Sequence, residues 1–87
     1  MKLIFCEECH DVVSIFQGEE RKCLCGKSSG IYLDPVNATY SGSAIPMGFA
    51  NKSLMAALLN QPQNGLGHTF TAFVIPKDCP TFKLKEA

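Results

Sequence analysis

The sequence predicts an α+β fold in which a cysteine-bearing β-hairpin comes first and a small mixed sheet with one short helix follows. Three observations carry this expectation. Two close cysteine pairs, Cys6-Glu7-Glu8-Cys9 and Cys23-Leu24-Cys25, fall in the first third of the chain. Short runs rich in β-branched and aromatic residues recur along its whole length. A single stretch, residues 52–60, places apolar side chains at helical spacing.

Taken in order, Leu3-Ile4-Phe5 reads as a strand entering the first cysteine turn, and Val12 to Phe16 as the strand leaving it. Gln17-Gly18-Glu19-Glu20 is a polar turn that leads through Arg21-Lys22 into the second cysteine turn. Ile31-Tyr32-Leu33 is the next strand, closed by the turn signal Asp34-Pro35. Val36, Ala38 and Tyr40 alternate with Asn37, Thr39 and Ser41, the period of a half-buried strand. Gly42 and Pro46-Met47-Gly48 then punctuate the chain around Ala44 and Ile45. Asn51 is a good cap for the helix, whose apolar stripe is Leu54, Met55, Leu58 and Leu59. Gln61-Pro62 ends it, and residues 62–67 form a loop. His68 to Ile75 becomes apolar on both faces, which predicts a central strand covered from both sides. Pro76 stops that strand, and Phe82 with Leu84 adds a short terminal one. The 87 residues are expected to form one domain, 1–87, with the cysteine hairpin over 1–30 and the sheet–helix unit over 31–87.

The cysteine pattern carries the chemistry. Cys6-x-x-Cys9 and Cys23-x-Cys25-Gly26, thirteen residues apart, place two thiolates on each of two tight turns. A tetrahedral zinc ion needs four such soft donors about 2.3 Å away. Gly26 suits the backbone angles that such a turn requires. A structural Zn²⁺ held by Cys6, Cys9, Cys23 and Cys25 is therefore expected, with the strands between the pairs forming one β-hairpin, the body of a zinc ribbon. A domain this small buries only about 60% of its unfolded surface, so a metal staple is in keeping with its size. Iron also suits four thiolates. Two disulfides would need an oxidising compartment, whereas Met1 to Phe5 run straight into Cys6 and two acids and form no signal-peptide core. No apolar run approaches the roughly 18 residues of a membrane helix. A cytoplasmic location without membrane association follows as an expectation. His10 is expected to be exposed or to support the ligands from outside, and Cys79 to be a buried thiol.

Charge narrows the partners. Residues 1–27 carry four bases against five acids, and four thiolates on one Zn²⁺ would add two further negative charges. Nucleic-acid binding calls for clustered Lys and Arg, and only Arg21, Lys22 and Lys27 cluster here. The nucleic-acid class stays open but is disfavoured. Residues 28–76 carry only Asp34 and Lys52, far fewer charges than a free soluble surface normally shows. Either that surface is polar without charge, or a second copy, a partner or a ligand covers part of it. A homo-oligomer is expected.

The blocks CEECHDVVSIF and RKCLCGKSSGIYLD resemble the zinc-ribbon or rubredoxin-like knuckle class, over about a third of the chain. NATYSGSAIPMGFAN and FVIPKDCPTF are similar to small phage proteins, and the four blocks together resemble a phage and bacterial zinc-ribbon group. A hairpin fixed by zinc and a charge-poor middle point to a non-catalytic binding protein, and the phage resemblance implies one that inhibits or sequesters a host factor. The uncharged polar side chains and aromatic rings of the middle also suit a small nucleotide-like ligand. The alternative is a nucleic-acid-binding accessory ribbon. Tyr32, Asn37, Tyr40, Asn51, His68 and Thr69 are the candidates to contact a small polar ligand by hydrogen bonding or stacking. No catalytic residue is expected, because four cysteines leave zinc no open position for water.

Overall fold

A computed structural model describes residues 1–85. Glu86 and Ala87, included in the expected 31–87 unit, lie outside the described residues. The described elements are β1 (Lys2–Cys6), β2 (Val12–Ser14), β3 (Arg21–Lys22), β4 (Ser28–Tyr32), β5 (Ala38–Gly42), β6 (Ala44–Phe49), α1 (Asn51–Leu59), β7 (Ala72–Val74) and β8 (Phe82–Leu84). The fold is α+β, as the sequence predicts.

The strands form two four-stranded sheets, ordered β2-β1-β6-β7 and β3-β4-β5-β8. Alternation decides which side chains meet between them. Ile4, Cys6 and Val13 of the first sheet close one core with Ala38, Tyr40 and Phe82 of the second, and Ile15, Cys23 and Ile75 complete it. Phe82 and Ile4 are fully buried, and the Phe82 ring meets Tyr40 edge-on at 5.1 Å. Gly30 in β4 lets the sheets approach, since a Cβ there would lie 2.9 Å from an Ile15 methyl carbon and 3.3 Å from one of Ile4.

Several expectations are corrected by this arrangement. The strands between the two cysteine pairs do not form one hairpin. β2 pairs with β1, at Leu3–Ser14 and Ile4–Val13, and β3 pairs with β4, at Arg21–Gly30 and Lys22–Ser29. Each cysteine pair therefore belongs to its own hairpin in its own sheet. Residue 30 is not a boundary either, because β4 runs through it and both sheets draw strands from each side. That strand also begins three residues before the expected Ile31, at Ser28, where it continues directly out of the cysteine turn.

β6 goes unrecognised in the sequence because Pro46 and Gly48 read as breakers. The Pro46 carbonyl accepts a hydrogen bond from the Ile75 amide at 2.9 Å. A residue's N and C=O point to the same side of a strand, so the missing N–H of Pro46 also faces Ile75, just past the end of β7. Only a terminal bond is forgone. β7 itself is three residues of exposed edge strand, not the central strand predicted over 68–75. The apolar pattern misleads because the Phe73 ring lies over Gly48 and Phe70 meets Phe49 edge-on at 5.1 Å, while Val74 faces outward.

The helix forms where expected, but Ala50 is its cap and no side chain caps it. Asn51 is its first residue and accepts a hydrogen bond from the Met1 amine at 2.9 Å. Of its residues only Ala57 is buried, so the Leu54, Met55, Leu58 and Leu59 stripe does not enter the core. The terminal strand at Phe82 and Leu84 is present as β8, running parallel to β5. No helix among the described residues is long and apolar enough to cross a membrane.

Candidate metal centre

The two cysteine hairpins meet at one end of the pair of sheets. In the first turn, the chain leaves β1 at Cys6, whose carbonyl accepts from the His10 amide at 2.9 Å. The amides of Glu8 and Cys9 point at Cys6 Sγ, at 3.3 and 3.5 Å. Donors aimed at a sulfur stabilise its thiolate. The turn closes only if the residue after Cys9 takes a left-handed angle, and His10 does so with φ of 61° while its ring stacks on Phe5. Asn, Asp and His tolerate that region better than most side chains. His10 thus shapes the knuckle and is not among the clustered ligands. In the second turn Gly26 holds the corresponding position with φ of 76°, and its amide donates to the Cys23 carbonyl at 3.1 Å. Asp11, from the first hairpin, accepts the Leu24 amide at 3.0 Å and ties the turns together.

These contacts bring the four sulfurs of Cys6, Cys9, Cys23 and Cys25 within 4.8 Å of one another. Cys6 Sγ lies 3.7 Å and Cys23 Sγ 3.5 Å from Cys25 Sγ. A tetrahedron of sulfurs around an ion with bonds near 2.3 Å has edges of roughly 3.8 Å. The donor set and its spacing suit a tetrahedral thiolate-bound metal ion.

Ser28 adds a second mark of such a site. Its Oγ is buried, with the residue 1% exposed, and has no hydrogen-bond partner among the described residues. An orphaned buried hydroxyl is costly unless something accepts from it. Beside Cys6 its available acceptor is the ionised sulfur. The Ser28 hydroxyl is the chief influence holding the Cys6 thiol below its ordinary range, against burial and with help from the Cys9 and Glu8 amides. Burial would raise Cys23, but the Ser28 amide and the neighbouring cysteines bring it down to about 6. At Cys25 the Lys27 amide favours the thiolate, yet burial and the other three cysteines outweigh it and push the thiol up to about 12. Four thiolates this close repel one another, so protons remain until a cation replaces them.

One more segment positions the centre, and the sequence reading passed over it. At Ser43 the chain crosses from β5 in one sheet to β6 in the other. The Ser43 amide donates to the Lys27 carbonyl at 3.1 Å, and its carbonyl accepts from the Glu7 amide at 3.0 Å, so one residue clasps both turns. Gly42 makes this possible. Its φ is 74°, and a Cβ there would sit 1.8 Å from the Lys27 carbonyl oxygen. Gly42 at the end of an alternating run was the available signal, but nothing local told what it approaches.

The six candidate ligand contacts do not gather in one place. The Tyr32 hydroxyl accepts from the Lys2 amide at 3.0 Å. Asn37 closes the turn after β4, where its amide and side chain donate to Asp34. Tyr40 is buried in the core, and Asn51 begins the helix. His68 and Thr69 lie in the exposed segment before β7, with His68 Nδ1 donating to the Thr69 carbonyl. His68 lines a groove of about 500 Å³ with Leu54, Ala57, Leu58 and Phe70. Cys79 stands apart from the metal cluster, partly buried, with its Sγ 3.5 Å from Thr81 Oγ1. The Thr81 hydroxyl and amide hold its thiol below the usual range despite burial.

Comparison with family models, curated proteins and solved structures returns no match.

Proposed function

We propose that this chain is a non-catalytic zinc-ribbon binding protein of the phage type, cytoplasmic, acting by inhibiting or sequestering a host protein or a small nucleotide-like ligand. The observation that carries the reading is the four-sulfur cluster, drawn from a hairpin of each sheet at tetrahedral spacing. A Zn²⁺ there would staple the two sheets and supply stability that so small a core needs help to reach. Four protein donors close a tetrahedral shell, so the ion would have no position for an activated water, which argues for structure and against catalysis.

Binding then falls to the charge-poor residues 28–76. A groove of about 410 Å³ runs beside the cysteine turns, lined by Tyr40, Ala44, Ile45, Pro46, Ile75 and Leu84, with Glu7 and Lys77 also on its walls. Its size suits a small ligand, and its apolar lining with one charge of each sign suits a neutral, partly polar one. The acids that share the first segment with Arg21, Lys22 and Lys27 weigh against a nucleic-acid accessory.

Native mass spectrometry of the full chain purified from cells tests the reading. We expect one zinc per chain, lost on Cys23→Ser, together with a co-purified small molecule or a bound host protein. Purified protein without metal would refute the zinc centre. A metal-loaded chain that binds no host protein, stays unmoved by a panel of nucleotides in thermal shift, and shifts DNA or RNA at low salt would instead favour the nucleic-acid alternative.

A further inference from the structure

Residues 51–71 leave the first sheet at the end of β6 and return to it at β7, and almost nothing in between is buried. An isolated helix shorter than about 12–15 residues is marginal in water and relies on packing one face. α1 has nine residues, no side-chain cap, no acid in its first turn and no base in its last. It therefore lacks the local devices that hold a short helix together. It also lacks packing: Leu58 is 61% and Leu59 80% exposed, and Leu66 on the following loop is 95% exposed. The chain is drawn out to 47 × 26 × 23 Å, with a radius of gyration of 14.1 Å. A compact chain of this length would have about 12 Å.

We propose that this arm is the face of a two-fold homodimer, in which α1 packs against α1 of a second copy and the apolar side chains around it are covered. Three features of the arm favour a second copy as the occupant. First, the area is adequate. Met55, Leu58, Leu59, Leu66 and Phe70 are exposed on the arm itself. At roughly 100 Å² each they offer more than half of the roughly 800 Å² per partner that a standard interface buries, before the β7 edge is counted. Second, the charge is right. Two-fold docking sets a patch against itself, so a charged patch repels its copy, whereas residues 51–76 carry only Lys52. A nucleic acid would find a single countercharge here, Lys52, and a basic peptide none. Third, β7 is the last strand of its sheet. An open edge pairs antiparallel with its own symmetry mate at no cost in complementarity.

This inference is independent of the zinc-ribbon reading, since none of its residues lies in the cysteine cluster. The test is sedimentation equilibrium on the full chain across micromolar concentrations. We expect a species of twice the 9.5 kDa chain mass. The double variant Leu58→Glu/Leu59→Glu should be monomeric with its metal content unchanged. Hydrogen exchange on the unaltered protein keeps the idea testable if that variant folds poorly. Amides of residues 54–58 should be protected at high concentration and lose at least about tenfold of that protection on dilution, while β1 and β4 amides do not change. A chain that stays monomeric at every concentration overturns the proposal, even if it captures a different protein. So does a dimer that survives the double variant, or α1 protection that ignores concentration.

Discussion

The paired sheets and the arm over residues 51–71 are built from similar apolar residues but hold them in different ways. In the sheets, Ile4, Tyr40 and Phe82 each meet neighbours from the opposite layer, and the four-cysteine cluster, which could hold a metal ion, joins the two layers at one end. In the arm, Leu58, Leu59 and Leu66 meet almost nothing on their own chain. The sheets draw their stability from contacts within the molecule, and the arm has only a few to draw on, such as the Phe70 ring against Phe49 and the buried Ala57. Apolar residues stabilise a fold only where a second layer lies within reach, and here the second layer exists for one region alone.

If that contrast is right, the largest effect comes from removing the staple. Cys23→Ser should leave a metal-free chain whose sheets lose their cooperative unfolding transition, as small metal-dependent domains do. Metal analysis with circular dichroism melts, with and without chelator, reads this directly; a normal melt without metal would mean that the core suffices. Acid should act on the same centre. The metal-free Cys6 and Cys23 thiols sit below their ordinary range, Cys23 at about 6. Their ionised forms are thus favoured by folding, a contribution in place above the unfolded thiol value and drained as pH falls through about 6. Cys25, raised to about 12, runs the other way, with its contribution in place below the unfolded value and lost as pH climbs toward 12. Acidification should release bound metal, because protons compete with it for the four thiolates, while metal content that holds steady down to about pH 3 would argue against thiolate ligands.

Core packing comes next. Phe82→Ala should cost about 3–5 kcal/mol in chemical denaturation, the range for truncating a fully buried ring. Gly42→Ala should cost about 3 kcal/mol, because its Cβ collides with the Lys27 carbonyl and its φ is positive. It should also weaken metal binding, since Ser43 clasps both cysteine turns; an unchanged metal affinity would show that the clasp is dispensable. The smallest effect belongs to the arm. Leu59→Ala in dilute solution, where the chain is monomeric, should change stability by less than about 0.5 kcal/mol. A cost as large as that of Phe82→Ala would erase the contrast between the two regions.

The cysteine cluster was legible because its logic is local. Two residues between Cys6 and Cys9, one between Cys23 and Cys25, and Gly26 directly after them are enough to specify two ligand-bearing turns. Alternation, a property of the strand alone, turned Ala38 and Tyr40 inward as the pattern predicts, whereas Val36 of the same run precedes β5 and is exposed, and burial removes Tyr40 from the expected ligand contacts. β6 was hidden because the cost of Pro46 depends on whether its nitrogen faces a partner, and that partner is Ile75, far along the chain. The helical stripe and the predicted strand over 68–75 failed on the same ground. Periodicity reports that a face is apolar and is silent about whether anything covers it.

The division follows from the range of the interactions. By itself the sequence determined what a few neighbouring residues can settle: the four-thiolate donor set, the knuckle turns, the α+β alternation and the nearly uncharged stretch from 28 to 76. Only the tertiary structure decided that the two cysteine hairpins enter different sheets, that Gly42 and Ser43 lock them together, and that the arm is left without a layer beneath it. Those outcomes depend on which distant strand supplies the hydrogen bonds and the opposing side chains. A strand's own residues state which side faces inward, and not which neighbour will be there.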